Sequence, residues 1–173
     1  NLTGDQNQTF FKQLRKAGIT PDNKYYVMSY QINEENIYEI GPNLLKDHYV
    51  AVNYLMNIET PSSKNFVNNF KKLYGQNRFI SSTQESAYLM IFLWKNAVER
   101  ANTFKVEAVR NAMIGQNLNA PQGLVEMFPN NHISQNLRIT KINSKGVLEI
   151  IEEIGPIKPN LWNKFDNNIN NKK

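Results

Sequence analysis

The chain has no cysteine among its 173 residues. That excludes a disulfide scaffold, a thiolate metal site and a cysteine nucleophile, though it does not fix the compartment, since exported bacterial proteins often manage without disulfides. Histidine is almost as scarce: His48 and His132 are the two copies, and they lack metal-ligand spacing, so a structural or surface role outweighs metal binding. Long apolar runs are missing too. The longest spans residues 87–94, far short of the roughly 20 residues that a membrane-crossing helix needs. There is no glycine-rich phosphate loop and no serine-centred nucleophile elbow, which leaves no catalytic constellation and no cofactor motif. The formal charge of +5 comes from Lys and Arg scattered among Asp and Glu, partly in the C-terminal tail; with no basic block carrying interleaved aromatics, nucleic acid is not an expected partner. No leader segment is legible, and Asn at the first position fits a processed or trimmed chain.

What is present is enough apolar material for a core, 40% of residues, in a length that allows one domain or parts of two. Gly4-Asp5-Gln6-Asn7 stands ahead of a helix predicted over residues 8–17, with Asn7 as its N-cap, Phe10, Phe11 and Leu14 on its apolar face and Gly18 after its end. Such a loop offers a carboxylate, free backbone N–H groups and amides at one point, a combination suited to a small polar ligand, although Asp5 serving as a plain turn or cap residue is the competing reading. A strand rich in aromatics, mostly buried, is expected over residues 25–30, and a short helix over 33–40 with Asn33 as cap and Glu34 and Glu35 in its first turn. Glu34 and Glu35 face different directions on a helix and make a poor catalytic pair, though one of them could line a cleft. A second strand is expected over residues 48–54; Tyr25, Tyr26, Tyr30 and Tyr54 can serve as cleft walls or as core aromatics.

Thr60-Pro61 then opens a helix whose face is Phe66, Val67, Phe70, Leu73 and Tyr74, closed by Gly75. A longer helix over about 83–101 is apolar nearly all round, which predicts burial between layers. A third runs over about 106–114. Beyond Pro121-Gln122-Gly123 the period changes, and strands are expected over 124–128, 132–142 and 147–154, the last two joined at Asn143-Ser144-Lys145-Gly146 as a hairpin, with Gly155-Pro156 breaking regular structure and a frayed tail at the end. Helix alternating with strand argues for an α/β layer with a parallel sheet, and such sheets bind ligands at the carboxyl ends of their strands.

Several of these stretches together carry a family resemblance. Gly4-Asp5-Gln6-Asn7 with Phe10-Phe11-Lys12, then Ala17-Gly18-Ile19-Thr20-Pro21, Ser29 through Glu34-Glu35, Asn53-Tyr54, Ile58-Glu59-Thr60-Pro61 with Lys64-Asn65-Phe66-Val67, Ala87-Tyr88 with Leu93-Trp94-Lys95, Ala120-Pro121-Gln122-Gly123, Asn130-Asn131-His132 and Gly155-Pro156-Ile157-Lys158-Pro159 resemble, in this order, the C-terminal portion of type I periplasmic binding proteins, the urea and short-chain-amide receptors of the branched-chain amino-acid transporter class. The resemblance covers roughly residues 2–162. It departs from the pattern at Gln6, where a serine is usual, and at Asn33, where a small residue is usual.

The resemblance implies a two-lobed α/β fold, a parallel sheet flanked by helices plus a C-terminal β-hairpin. Residues 1–57 and 132–157 would belong to the second lobe, 58–131 to a helical portion returning to the first, and 158–173 to a tail. As a partial fold, the chain would belong to a larger structure or self-associate by swapping elements. The resemblance also implies an extracytoplasmic, non-enzymatic component that closes on urea, an amide or a related small polar solute and feeds an ABC transporter. The alternatives are the ligand-sensing domain of a membrane receptor or histidine kinase, and a self-associating fragment that binds nothing. A permease or sensor is the implied partner. Asp5 would accept from the ligand amide, with Gly4, Gln6, Glu34 and Tyr30 beside it; for a neutral ligand Glu34 would serve to support the loop.

Overall fold

A computed structural model describes residue 2 and residues 4–160. Local signals account for most helix ends. Helix α1 (Gln6–Lys16) begins where Gly4 takes φ +60°, a left-handed turn that a glycine adopts at little cost, and the Asn7 amide donates back to the Gly4 carbonyl. Asp5, not Asn7, stands at the N-cap, its side chain makes no capping bond, and Asn7 is buried inside the first turn. A 3₁₀ turn (Pro21–Asn23) leads to β1 (Met28–Ser29). Helix α2 (Glu34–Ile40) starts on a reciprocal capping box between Asn33 and Asn36, and α3 (Pro42–Leu45) follows Gly41. After β2 (Tyr49–Val52), α4 (Pro61–Tyr74) is capped by Thr60, whose side chain accepts from the Ser63 amide, with Pro61 at its first position. A second capping box, Ser81 with Gln84, opens α5 (Ser82–Ala101), and α6 (Val106–Met113) follows. The chain then forms β3 (Asn117–Ala120), β4 (Gly123–Glu126), β5 (Gln135–Ile142) and β6 (Leu148–Ile157).

The main sheet has the order β1-β2-β5-β6. β1 and β2 run parallel, Met28 opposite Tyr49, and the β5–β6 hairpin adds antiparallel, Val52 opposite Arg138 and Ile142 opposite Leu148. A parallel pair flanked by helices, extended by a C-terminal hairpin, is the α/β arrangement expected. β3 and β4 form a separate antiparallel pair. Two apolar clusters result. The larger gathers Phe11, Ile37, Leu45, Val50, Leu55 and Phe66 with Ile142 and Leu148 from the hairpin. The smaller packs Leu89 and Leu93 of α5 on Ala120, Val125 and Met127.

Three further expectations fail, and one strand forms that was not expected. The aromatic stretch 25–30 is neither long nor buried: only two residues pair, and Tyr25, Tyr26 and Tyr30 are exposed because β1 has a single sheet neighbour among the described residues. Helix α5 is not enclosed on all sides. It buries Glu85, Leu89, Leu93 and Ala97, one residue per turn, and leaves Ile91 and Trp94 exposed. Gly155-Pro156 does not end regular structure, since β6 continues to Ile157 with a cis Gly155–Pro156 bond. β3 went unforeseen; its Asn-Leu-Asn-Ala sequence has little β propensity, and its ladder with β4 holds it. The expected tail lies, from residue 161 on, outside the described residues. Among the described residues no helix is long and apolar enough to cross a membrane.

Candidate functional site

The carboxyl ends of the parallel pair β1 and β2 open on a cleft. After β1, the Ser29 hydroxyl accepts from the Gln31 and Ile32 amides at 3.3 and 3.2 Å. This tight turn buries Ile32 and turns Tyr30 outward, 74% exposed. Tyr30 lines two adjoining hollows. The smaller, about 200 Å³, lies between β1 and the first turns of α1, against Leu2, Asn7, Phe10 and Phe11. The larger, about 660 Å³, is walled by Val52 and Asn53 at the end of β2, by Ser82, Ser86, Leu89 and Met90 on α5, by Asn131 and His132 in the β4–β5 connection, and by Gln135 and Asn136 at the start of β5. Amides and hydroxyls dominate its polar lining. No carboxylate of the described residues lines either hollow, and Lys158 and His132 are the basic groups at the edge of the larger one.

The expected binding residues are not all gathered there. Gly4, Asp5 and Gln6 are exposed just ahead of Asn7, at the start of α1, and line neither hollow. Glu34 sits on the far side of the β1–α2 turn. Its Oε1 accepts from the Met56 amide at 3.1 Å, and burial pushes its carboxyl above the usual range. It borders a different hollow, of about 730 Å³, with Asn57, Arg78 and Lys145. Tyr54 belongs to the core, its hydroxyl 3.5 Å from Ser63 Oγ and its pKa pushed up to about 12 chiefly by burial. His48 is buried against Phe11, its Nδ1 accepts from the Val27 amide at 3.1 Å, and burial lowers its pKa. No group of three His, Asp or Glu side chains that could hold a metal ion occurs among the described residues.

Behind the larger hollow lies a buried polar cluster that sequence reasoning missed. Arg138 projects from β5 into the interior. It donates through Nη1 to the Asn53 carbonyl at 2.6 Å and through Nη2 to the Gln122 carbonyl at 2.9 Å, and it pairs with Glu153. Gln122, fully buried in the β3–β4 turn, donates from its amide and from Nε2 to the two oxygens of Glu85 on α5, at 3.3 and 3.1 Å. Asn136 donates from its backbone to Gln122 Oε1 at 3.4 Å and from its side chain to the Gln122 carbonyl at 3.2 Å. Burial outweighs these bonds and the nearby Arg138, raising Glu85 to about 7. A signal was available: Asn136, Arg138, Thr140 and Ile142 occupy the inward positions of an alternating strand, and a charge at such a position requires a partner.

A mixed α/β fold, with a polar cleft at its strand ends bordered by helix α5, defines the class. A model of the periplasmic binding protein domain family matches residues 1–168, and the chain belongs to that family. Its fold is similar to that of an amino acid ABC transporter substrate-binding protein from Pseudomonas fluorescens Pf-5, at 17% identity and TM-score 0.77 over 91% of this chain and 43% of that one. It is also similar to an ABC-transporter solute-binding protein from Rhodopseudomonas palustris BisB5 crystallised with 3,4-dihydroxybenzoic acid, at 21% identity and TM-score 0.77, over 91% of this chain and 44% of that one. A leucine-binding protein from Thermotoga maritima matches at 21% identity and TM-score 0.71, covering 86% of this chain and 41% of that one. In sequence, a Geobacillus stearothermophilus protein named limonene hydroxylase is 26% identical over 134 residues, which are 76% of this chain and 25% of that protein. The chain thus spans less than half the length of each of these relatives.

Proposed function

We propose that the chain supplies most of one lobe, and part of the other, of a solute-binding protein that closes on urea, a short-chain amide or a related neutral polar solute. In this reading it is an extracytoplasmic component that hands its ligand to an ABC-type permease. The observation that carries the proposal is the lining of the larger hollow. Asn53, Asn131, Gln135, Asn136, Ser82 and Ser86 offer both donors and acceptors, a composition suited to a neutral amide, and no carboxylate stands among them to hold the ammonium of an amino-acid zwitterion. Tyr30 would stack on the solute at the lip, and Asp5, with Gly4 and Gln6 beside it, would reach it from the start of α1 on closure. Glu34, its oxygen engaged by Met56, would hold the loop after β2 and leave solute contact to others.

The division into lobes is part of the proposal, with residues 1–57 and 132–157 in the second lobe and 58–131 returning to the first. The exposed apolar side of α5, with Ile91 and Trp94, supports a covering element from the rest of the first lobe or from a swapped second copy. A sensor domain would use the same closure with a different membrane partner.

Titration calorimetry of the full-length protein with urea, formamide, acetamide, leucine and benzoate tests the ligand class. Binding of an amide that Tyr30→Ala or Asp5→Ala weakens by about tenfold or more supports the proposal. Binding of benzoate or leucine alone overturns it.

A further inference from the structure

We propose that Arg138 is a positioning residue of the cleft, its guanidinium fork setting the separation of the two walls by gripping the Asn53 carbonyl on the β2 wall and the Gln122 carbonyl in the β3–β4 turn that anchors the α5 wall. The inference rests on the cleft being the solute site. On the sheet side, Nη1 holds the carbonyl of Asn53, the residue that carries β2 into the cleft. On the other side, Nη2 holds the carbonyl of Gln122, and Gln122 in turn binds Glu85, one residue before the wall position Ser86 on α5. Gln122 also receives both bonds from Asn136, a third wall residue. One planar cation therefore connects β2, β5, the β3–β4 turn and, through Gln122, helix α5.

Chemistry favours arginine for this task. Two carbonyls in different directions require a rigid fork that stays protonated; an ammonium is a single point and sheds its proton more readily when buried. Arg138 is 3% exposed, and its Nε–H has no partner among the described residues, so the grip rests on the two terminal nitrogens alone. Glu153, the balancing carboxylate, is half in solvent. It neutralises Arg138 without joining the walls. The fit is close as well: a Cβ on Gly123, next to Gln122, would stand 2.8 Å from Asn136 Nδ2, so the β3–β4 turn packs directly on the Asn136 side chain.

A merely stabilising arginine and a positioning one differ in where loosening appears. Hydrogen exchange of the full chain is measured for the unaltered protein, Arg138→Met and Arg138→Lys, alongside calorimetry with acetamide and urea. Expected for both variants is acceleration of about tenfold or more at the Gln122 and Asn136 amides, with the Ile37 amide of α2 unchanged, and amide affinity reduced by a similar factor. Lysine keeps the charge and does not rescue. Glu153→Gln, which leaves both carbonyl bonds in place, changes neither readout at the cleft. Should the Arg138 variants fail to fold, Gln122→Met removes the side-chain bonds that carry the Arg138 grip on to Glu85 and Asn136, leaving the backbone ones, and is expected to give the same local pattern at smaller amplitude. Equal acceleration at Ile37 and Gln122, or rescue by lysine, overturns the inference. Failure of both amides to bind the unaltered protein overturns the solute reading and leaves the exchange pattern to decide the role of Arg138.

Discussion

The two interiors of this chain are differently built. Under the main sheet, Ile37, Leu45, Val50, Leu55, Ile142 and Leu148 fill space with aliphatic volume, and Leu45, Val50 and Leu55 have no exposed surface. Around α5, five apolar residues share the interior with Glu85, Gln122, Asn136 and Arg138. A non-directional interior tolerates small rearrangement and responds to lost volume. A hydrogen-bonded one is set by angles and distances and responds to lost partners and to protons. The polar interior is the one that backs the cleft, where geometry matters most.

Truncation breaks the comparison hardest. Leu45→Ala, in the aliphatic interior, is expected to cost about 3–4 kcal/mol in denaturant titration, by an amount that does not vary with pH. The next effect comes from protons. The Glu85 carboxyl is raised from 4.5 to about 7, so between those values the folded chain holds a proton that the unfolded chain has released. Its contribution therefore falls as pH rises from about 4.5 to about 7 and is level above, a change on the order of 3 kcal/mol at most. Glu85→Gln is expected to remove that slope. His48, beside the other interior, has its pKa lowered by burial, partly opposed by Asp47, so its contribution runs the opposite way and is lost as pH falls below 6.5. Melting curves against pH are expected to steepen upward in Glu85→Gln and downward in His48→Gln. If the two variants keep identical pH profiles, the contrast between the interiors is wrong.

Smaller effects sharpen the contrast. Gly123→Ala places a Cβ against Asn136 in a backbone at φ +118°, and is expected to cost about 2 kcal/mol and to perturb the cleft amides before the α2 amides, measured by exchange. Thr60→Ala removes the cap that accepts from the Ser63 amide at 3.1 Å, and is expected to cost about 1 kcal/mol, felt through Phe66 in the aliphatic interior without change in cleft exchange.

Much of the scaffold was legible because its signals are local. Asn33, Thr60-Pro61 and Gly75 mark helix ends through contacts within four residues, and the hairpin at 143–146 is announced by its turn residues. Ser81 with Gln84 carried the same kind of mark for α5, which starts one residue earlier than expected. Burial was less legible. Tyr25, Tyr26 and the outer residues of α5 look like core in composition, but whether an apolar face is covered depends on what packs against it. Of the candidate site, Tyr30 was placed at the cleft, whereas Asn53, Ser86 and Asn136 meet it only because β2, α5 and β5 converge.

The sequence by itself determined the alternation of helices and strands, the caps and turns that bound them, and a family pattern that extends through nearly the whole chain. Each of these is written in residues close enough to touch along the chain or in an order of short motifs. Only the tertiary structure decided that Arg138 would hold carbonyls 85 and 16 residues away, and that Glu85 would share the proton-sensitive interior with a glutamine 37 residues beyond it. Bonds across such separations leave no period and no spacing to read. They exist because folding removed water from those groups and left them no other partners.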